Sequence, residues 1–399
     1  MALVHSSIHK LGSIITRVNV RCFSTPVIKQ QVKKVDEKNI KKSVFLSQSK
    51  DIYTNLALED WLYKNFDFTN HHVLMLWKND PCVVIGRHQN PWLEANIPEL
   101  SHITDNGVKL ARRNSGGGTV YHDPGNLNMT FFTAKEQYNR KYNLEVISRS
   151  IFREYGLKVE INPREDLVIR EFKQVSGTAA KIGRPSAYHH CTLLVNANKV
   201  DLSQALHKQD VNIKTNATQS VKSKIMNLCE ENPHINVDKL GTAVGWEFMR
   251  TTAITLQDGG MELANQQWGF HKVNPTEQWY PGISEIRDQL QGWEWCYGKT
   301  PKFTVSRSFA VPDRLTCSGP EDLKITLTVE SGLIADVSLY VPPGLSSSGF
   351  AGEANVITHL KGQRFEEEVF NNLELSLGGL VNDRDKFVTE CLKQVVTSV

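Results

Sequence analysis

The sequence lacks the features of a disulfide-rich or membrane-spanning protein. Its seven cysteines are scattered over 399 residues and form no Cys-x-x-Cys pair, which argues against a disulfide framework or a zinc ribbon. The longest apolar runs, such as 73–77 and 82–85, have the length of strands, whereas a membrane helix needs about 18 apolar residues. We therefore expect a globular protein with reduced thiols and no membrane partner.

Acidic residues are missing from the N-terminus. The first 35 residues contain six lysines and arginines but no aspartate or glutamate, and Asp36 is the first acid. This Ser/Thr-rich composition is typical of a mitochondrial presequence, so we interpret residues 1–35 as a targeting peptide and expect the protein in the mitochondrial matrix. The rest of the chain is slightly acidic, although the whole carries a formal charge of +3. It therefore offers no basic excess for binding nucleic acid.

The spacing of apolar residues predicts an α+β fold, because strands dominate the first 200 residues and helices then follow in blocks. The turn at 79–81 predicts a β-hairpin between 72–77 and 81–86. A Pro/Gly-rich stretch near 275–290 is the predicted domain boundary. The remaining segments are predicted as helices at 53–66, 143–155, 217–230, 237–250, 352–361 and 384–396, and as strands at 157–161, 166–170, 191–197, 302–309, 323–329 and 332–341.

A glycine-rich loop is the densest chemical signal, with the sequence RRNSGGGTVYHD at 112–123. Consecutive glycines between strands weaken packing, and they suit a place where the backbone approaches a ligand. Their N–H groups can receive a carboxylate or phosphate, and Arg112 and Arg113 add positive charge. The loop does not match the dinucleotide-binding fingerprint, the nucleophile elbow or the P-loop, because residues that each motif requires are absent. The alternative to an anion-binding loop is a hairpin turn without a ligand.

A single lysine among small residues is the second signal. Lys181 ends the segment VSGTAAK at 175–181. A cation in such a pocket can stabilise a phosphate or a developing oxyanion. The alternative is an ordinary lysine on a surface loop.

Two neighbouring histidines are the third signal, in the segment YHHCTLLV at 188–195. Neighbouring residues of a strand face opposite sides, so His189 and His190 cannot easily share one metal ion, and no third ligand stands at zinc-site spacing. We expect no metal, with one histidine near the pocket and the other structural. Cys191 is either a nucleophile that carries an acyl group or an inert buried cysteine.

Together these segments resemble the lipoate–protein ligase A/lipoyltransferase family, in particular its animal mitochondrial members. The resemblance spans residues 45–305 and rests on these motifs: NLALEDW (55–61), VVIGRHQNPW (83–92), RRNSGGGTVYHDPGN (112–126), VSGTAAK (175–181), YHHCTLL (188–194), NATQSV (216–221) and LQGWEWCYGKTPKF (290–303). It implies a catalytic domain of mixed β-sheets and helices at 45–285 that binds lipoyl-AMP. It also implies a small, movable α+β accessory domain at 286–399.

The resemblance implies a role for single residues as well. Lys181 would bridge the α-phosphate and the carboxyl oxygen of lipoyl-AMP as the catalytic group. The other residues implied to contact lipoyl-AMP are Arg113, Ser115, Gly116, Gly117, Gly118, Tyr121, Arg164, Asp166 and Thr192. Two positions depart from the family pattern: Gln174 stands where lysine or arginine is frequent, and Cys191 stands where the simplest bacterial ligases have glycine.

The implied reaction transfers a lipoyl group to a lysine of a lipoyl domain. An ordinary lysine has a pKa near ~10.4, and the cations of Lys181 and Arg113 would lower the pKa of the acceptor and stabilise the oxyanion. Direct transfer then needs no enzyme nucleophile. The donor is lipoyl-AMP or a lipoyl group on the glycine-cleavage H protein, and in the second case a Cys191 thioester becomes attractive.

The resemblance further implies lipoyl domains of 2-oxoacid dehydrogenase E2 subunits as acceptors, together with the H protein. We expect a monomer without a tightly bound cofactor, and Mg²⁺ only if the chain activates lipoate with ATP. Three alternatives stay open: a complete ATP-dependent lipoate–protein ligase, a non-catalytic protein that binds lipoyl-AMP or lipoyl domains, and a biotin ligase of the same superfamily.

Overall fold

The computed structural model describes residues 37–170, 173–207, 212–315, 321–346, 349–355, 360–366, 368–369 and 382–397. The predicted targeting peptide at 1–35 lies outside these residues. In the described part, no helix is long and apolar enough to cross a membrane.

The described strands are β1 (Lys41–Ser47), β2 (His71–Trp77), β3 (Cys82–Ile85), β4 (Lys109–Arg112), β5 (Val120–His122), β6 (Asn126–Ala134), β7 (Glu160–Ile161), β8 (Leu167–Ile169), β9 (Lys173–Gln174), β10 (Thr178–Ile182), β11 (Ser186–Leu194), β12 (Ile213–Thr215), β13 (Gly269–Val273), β14 (Phe303–Ala310), β15 (Asp322–Glu330), β16 (Leu333–Val341) and β17 (Gly352–Asn355). The described helices are α1 (Ile52–Asn65), α2 (Pro91–Glu94), α3 (Arg140–Tyr155), α4 (Lys199–Ala205), α5 (Val237–Arg250), α6 (Gly260–Asn265), α7 (Ile283–Gln291), α8 (Trp293–Cys296) and α9 (Asp383–Thr397).

The chain divides into two compact units that are each discontinuous in sequence. The first takes the chain up to Val84, Arg113–Leu202 and Val221–Gln291, and the second takes Ile85–Arg112, Ser203–Ser220 and the chain from Gly292. The domain limits drawn from the sequence, 45–285 and 286–399, stay a prediction.

A six-stranded sheet organises the described part of the first unit, in the order β10-β11-β6-β2-β1-β13. The pairs β10–β11, β11–β6 and β6–β2 are antiparallel, whereas β1 runs parallel to both β2 and β13. Parallel neighbours need a crossover connection, and α1 supplies it between β1 and β2. This mixed sheet with packed helices confirms the α+β fold class predicted from the sequence.

The two faces of this sheet carry different side chains. Because side chains alternate along a strand, Leu127, Met129 and Phe131 of β6 point to one face, and Asn128 and Thr130 point to the other. The apolar face packs against α3 and α5 and forms the hydrophobic core of the unit. We call it the core face, and we call the opposite face, which carries Asn128 and Thr130, the site face.

Helix α1 supplies side chains to the site face. It begins after Asp51, whose carboxylate accepts the N–H of Thr54 at 2.9 Å and caps the helix. It is buried over most of its length and packs against α7. Glu59 of this helix accepts a hydrogen bond from Thr130 at 2.8 Å, which ties α1 to the sheet.

The second unit has its own antiparallel sheet, ordered β12-β14-β15-β16-β17 in the described residues. Alternate residues of β15 are buried, and α9 packs against β14 and β15. The ring of Trp92 lies 5.3 Å from the ring of Phe303 and also 5.3 Å from that of Phe365. An early segment of the chain therefore completes the core of this unit.

Arg112 is a structural residue of the second unit. Its buried guanidinium donates to five backbone carbonyls and to the Thr300 hydroxyl, and the carbonyls belong to Gly86, Arg87, Gln89, Trp295 and Cys296. The expectation that Arg112 adds positive charge beside the glycine loop is therefore wrong, because the side chain is committed to these acceptors.

The strongly periodic helices were predicted correctly, and the irregular segments were not. Helices α1, α3, α5 and α9 confirm four predicted helices. The predicted hairpin of β2 and β3 is wrong, because β2 pairs with β1 and β6 and β3 pairs with β5. The helix predicted at 217–230 is also wrong except for one 3₁₀ turn at Leu228–Glu230, since the backbone around Ile225 pairs with Gln174 instead. The helix predicted at 352–361 begins as strand β17, which pairs with β16.

Candidate functional site

The glycine loop is shaped by Arg113, which comes directly before it. The Arg113 guanidinium donates to the carbonyls of Gly116 at 2.6 Å and Gly118 at 2.7 Å, and to that of Val84 at 3.0 Å. Arg113 is only 4% exposed, and burial lowers its pKa to about 10, which leaves it charged at neutral pH. The loop therefore folds around the Arg113 guanidinium, and the contact of Arg113 with lipoyl-AMP that the resemblance implies stays a prediction.

The loop presents N–H groups on its outer side. The carbonyl of Gly116 points to Arg113, so the N–H of Gly117 in the same trans peptide points away from it. Gly117 is exposed and has a φ of +85°, and a side chain there would meet the Arg113 guanidinium at 3.1 Å. Within the described residues, the N–H groups of Gly116, Gly117 and Gly118 donate to no backbone carbonyl. Such N–H groups are suited to an anion.

A buried chain of hydrogen bonds fixes the loop to the sheet. Arg113 Nε donates to Ser115 Oγ at 3.0 Å, and Ser115 Oγ lies 2.7 Å from His190 Nε2. His190 Nδ1 lies 2.8 Å from Glu59 Oε1, which also accepts from Thr130. Because the Glu59 carboxylate can only accept, Nδ1–H of His190 donates to it, and in this tautomer of the neutral ring Nε2 accepts the Ser115 hydroxyl.

The Ser115–His190–Glu59 order is also that of a hydrolytic triad. However, Ser115 is 1% exposed, and its oxygen already accepts a hydrogen bond from Arg113. A serine held in this way is placed to brace the loop. His190 is thus the histidine near the site, as the alternation predicted for one of the pair.

Lys181 lies on edge strand β10, on the site face, two residues beyond Ala179. A Cβ on Gly117 would lie 3.5 Å from the Ala179 Cβ, and residues i and i+2 of a strand are roughly 6.6 Å apart. The Lys181 ammonium lies 3.1 Å from an Asp60 carboxylate oxygen and 4.4 Å from the centre of the Tyr63 ring. The side chain keeps 25% of its surface exposed, so it is accessible to a ligand.

Thr192 joins the same region from β11. Its side-chain oxygen accepts the N–H of Gly177 at 3.0 Å, and its own N–H donates to the Gly177 carbonyl at 2.9 Å. A Cβ on Gly177 would meet Thr192 Oγ1 and Val120 at 3.3 Å each. The glycine loop, Gly177, Thr192 and Lys181 therefore border one region of the site face.

Cys191 lies on the core face, opposite its neighbours His190 and Thr192. It is 3% exposed among apolar side chains, and burial raises the pKa of its thiol to about 12. A buried, protonated thiol is a poor nucleophile. The thioester role considered for Cys191 therefore finds no support in this geometry.

For three other residues, Tyr121, Arg164 and Asp166, the implied contact with lipoyl-AMP stays a prediction. Tyr121 is 2% exposed, and its neighbours Val120 and His122 point to the other side of β5. Arg164 is exposed and lies 4.0 Å from Asp166, whose pKa is raised by burial although Arg164 opposes the shift. The link from this turn to β10 is a bond of 3.3 Å from the Thr178 hydroxyl to the Glu165 carbonyl.

Sequence reasoning missed the acidic side of the site. Glu59 and Asp60 are buried on α1 and bond to His190 and Lys181. The signal was present as two adjacent acids in the apolar segment LALEDWL. His122 was missed too: it accepts from Asn79 at 2.9 Å and packs on Trp77, and burial, followed by Arg113 and His190, lowers its pKa to about 3. Within the described residues, no cluster of three or more potential metal ligands exists.

Comparison with known proteins identifies the family. The family model of the lipoyl protein ligase A/B catalytic domain matches residues 51–249. The chain is 40% identical over 309 residues to the human mitochondrial lipoyl amidotransferase LIPT1, which covers 77% of this chain and 78% of the human protein. This chain belongs to the lipoate–protein ligase A/lipoyltransferase family. It is accordingly an enzyme, an acyltransferase.

Other members of the family extend the likeness. The chain is 35% identical over 306 residues to lipoate-protein ligase A of Bdellovibrio bacteriovorus, covering 75% of this chain and 83% of that protein. The crystal structure of P. falciparum LipL1 in complex with lipoate superposes with a TM-score of 0.53 and 22% identity, covering 88% of this chain and 99% of that one. This last likeness establishes the lipoate ligase fold for the chain.

Proposed function

We propose that this protein transfers a lipoyl group from lipoyl-AMP to the acceptor lysine of lipoyl domains in 2-oxoacid dehydrogenase E2 subunits. The observation that carries the proposal is the position of Lys181. Its ammonium is partly exposed, and its side chain lies on the same face of β10 as Ala179, which lies next to Gly117 of the glycine loop. Membership of the lipoyltransferase family supports lipoyl as the acyl group that is transferred. The mitochondrial human relative and the acid-free N-terminus support a mitochondrial location, and we propose the matrix.

The proposed step forms an amide directly. The acceptor amine attacks the acyl carbonyl, a C–N bond forms, and the bond from the acyl carbon to the phosphate oxygen breaks. AMP leaves with that electron pair, and the proton of the amine passes to the departing phosphate or to water. Lys181 stabilises the oxyanion and the phosphate by its charge. The N–H groups of Gly116–Gly118 hold the anion, and Arg113 keeps the loop in shape.

The surroundings of Cys191 favour lipoyl-AMP over an amide donor. An amide is a poor leaving group, and exchange between two amides would gain most from a covalent enzyme intermediate. The raised pKa of Cys191, about 12, and its burial disfavour a thioester at this position. Lipoyl-H protein therefore ranks second as the donor.

A complete ATP-dependent ligase is the second candidate function. The 35% identity to a bacterial lipoate-protein ligase A over most of both chains favours it. Such an enzyme would form lipoyl-AMP itself from lipoate and ATP, with Mg²⁺ as the companion of the nucleotide. Residues of the glycine loop would then bind the α-phosphate in both half-reactions.

The test is the mass of a purified apo lipoyl domain after incubation with the full chain. Three reactions are compared: lipoyl-AMP, lipoate with ATP and Mg²⁺, and lipoyl-H protein. We expect a lipoyl mass shift with lipoyl-AMP that falls by about 10²- to 10³-fold in initial rate for Lys181→Ala. Cys191→Ala is expected to retain the shift, because its thiol lies on the core face.

Each other outcome has a defined meaning. A shift with lipoate and ATP supports the complete ligase. A shift from lipoyl-H protein that disappears in Cys191→Ala supports a thioester and contradicts the direct route. No shift in any reaction overturns the proposed function.

A further inference from the structure

We propose that Asp60 is the positioning residue for Lys181 and that Lys64 preserves the positive charge of the pair. We call Asp60, Tyr63, Lys64 and Lys181 the ammonium cluster. The inference rests on the proposed role of Lys181 in acyl transfer. It adds to that role the residues that hold the ammonium in place.

The ammonium cluster is built from one helix and one strand. Asp60, Tyr63 and Lys64 stand at positions i, i+3 and i+4 of α1, so they share one face of the helix. Lys181 reaches this face from β10. The Asp60 side chain is 5% exposed, and its two oxygens accept from two lysines: Oδ1 from Lys181 at 3.1 Å and Oδ2 from Lys64 at 2.6 Å.

Tyr63 limits where the Lys181 ammonium can lie. The ammonium is 4.4 Å from the centre of its ring, a distance at which the ring face attracts a cation. The ring itself is held by an edge-on contact with Tyr188 at 5.5 Å. Gly183 fits against the Tyr63 hydroxyl, since a Cβ there would lie 2.0 Å from it. The ammonium therefore has a carboxylate on one side and a fixed ring on another.

This placement matters because a lysine side chain is long and flexible. Its free rotamers would spread the charge over several positions, whereas catalysis by charge requires the charge to be placed before the reaction. An ammonium has three N–H donors. With one N–H given to Asp60, the others can reach an acyl oxygen and a phosphate.

Lys64 offsets the negative charge that Asp60 places beside Lys181. A carboxylate beside Lys181 cancels its charge and would weaken its attraction for a phosphate. With Lys64 on the second oxygen, the ammonium cluster contains two cations and one anion, so it keeps a net charge of +1. Lys64 is 51% exposed, so its contribution is screened by salt.

The proposal predicts opposite effects on binding and on transfer. Asp60→Asn keeps the size of the side chain but raises the net charge to +2. An anionic adenylate should then bind as well as before or more tightly, while the transfer rate falls about tenfold or more, because displacement of a catalytic group by about 1 Å can cost up to 10²-fold. Lys64→Gln lowers the net charge to zero, so binding should weaken by about two- to fivefold with little change in the rate at saturation.

The experiment uses the full chain and two readouts. Calorimetry gives the Kd of lipoyl sulfamoyl-adenosine, a non-hydrolysable analogue of lipoyl-AMP. Single-turnover transfer from lipoyl-AMP to an apo lipoyl domain gives the rate. Asp60→Glu should restore part of the rate lost in Asp60→Asn, and Tyr63→Leu, which removes the ring face, should lower the rate with a small change in Kd. The matched control is Asp238→Asn, because Asp238 also pairs with a lysine, Lys78, at 2.6 Å but on the surface.

Three results would overturn the inference. The first is an Asp60→Asn rate within twofold of wild type. The second is a parallel loss of binding and rate in Asp60→Asn, without rescue by Asp60→Glu. The third is a wild-type chain that neither binds the analogue nor transfers lipoyl, which also overturns the proposed function. If Asp60→Asn does not fold, Lys64→Gln and Tyr63→Leu carry the test, and unchanged Kd and rate in both would overturn the inference.

Discussion

His189 and His190 are neighbours in one strand but lie in different chemical environments. His190 bonds to Ser115 at 2.7 Å and to the Glu59 carboxylate at 2.8 Å. His189 stacks on Phe131 and meets one partner, the Asn143 amide at 3.2 Å, and its Nε2 has no partner among the described residues. Burial drives the pKa of His189 well below its usual value, with smaller effects of Arg140 and His190.

The contrast between the two histidines extends to the whole sheet. The core face carries Leu127, Phe131 and Cys191 and is responsible for stability. The site face carries His190 and Lys181, whose partners come from α1 and from the glycine loop. A residue's place in the alternation therefore decides whether a substitution should affect folding or transfer, more than its distance along the chain from Lys181 does.

Phe131→Ala should give the largest effect on the core face. The ring is 1% exposed and contacts Phe248, and deletion of such a buried ring costs about 3–5 kcal/mol of unfolding free energy. Urea unfolding measures this loss, and transfer per folded molecule should stay within about threefold of wild type. Phe152→Ala is the control, because Phe152 is 60% exposed and should lose less than about 0.5 kcal/mol. If transfer activity falls by more than the loss of folded protein accounts for, the assignment of stability to the core face and transfer to the site face is wrong.

Ser115→Ala should give an intermediate effect on the site face. It leaves Arg113 Nε and His190 Nε2 without their partner, which costs about 1–3 kcal/mol, and the loosened loop should lower the transfer rate about tenfold. Stopped-flow transfer and urea unfolding measure the two losses. Ser150→Ala is the control, since its buried hydroxyl bonds to Ile147 on α3. A rate loss of about 10⁴-fold or more, as for a serine nucleophile, would contradict the bracing role.

His189→Asn should give the smallest effect, and it depends on pH. The folded state keeps His189 neutral, whereas the unfolded chain protonates it below about pH 6.5. Because the unfolded state binds the extra proton, stability falls as pH falls below that value. Removing His189 should lessen this fall by up to about 1.4 kcal/mol per pH unit. Urea midpoints between pH 5 and 7 measure how stability changes with pH. His234→Asn, at an exposed position, is the control. If stability falls with pH as steeply in His189→Asn as in this control, His189 does not contribute.

Much of the site was predictable because its signals are local. The glycine loop, Lys181 and the opposite orientation of His189 and His190 follow from residue type and alternation. The alternation also separates Cys191 from His190. It does not tell which face is the core, because both faces of β11 are buried over most of their length.

The partners of these residues were not predictable, since they come from distant parts of the chain. Glu59 and His190 are separated by 131 residues, and Asp60 and Lys181 by 121. In the sequence, both acids look like the solvent side of an amphipathic helix. Residue type marks Arg113 as a candidate phosphate ligand, but it does not reveal that Arg113 also donates to Val84 from β3 and to the carbonyls of the loop. The β2–β3 hairpin was predicted wrongly for the same reason, since both strands pair with strands from other parts of the chain and not with each other.

The two compact units alternate along the chain, and this affects both the synthesis of the protein and the behaviour of its fragments. The core that contains Trp92 cannot form until Phe303 and Phe365 have been synthesised. Strand β13 likewise joins its sheet more than 200 residues after β1. The first unit therefore cannot finish folding before Gln291 has been synthesised, and the second unit also needs the chain that follows Gly292. A fragment that begins at Gly292 would lack Trp92 and β12, and it should expose the apolar surface that they cover. Because Trp92 packs in the core that this fragment forms, a proteolytic cut after Gln291 should yield a nicked chain whose two pieces stay associated.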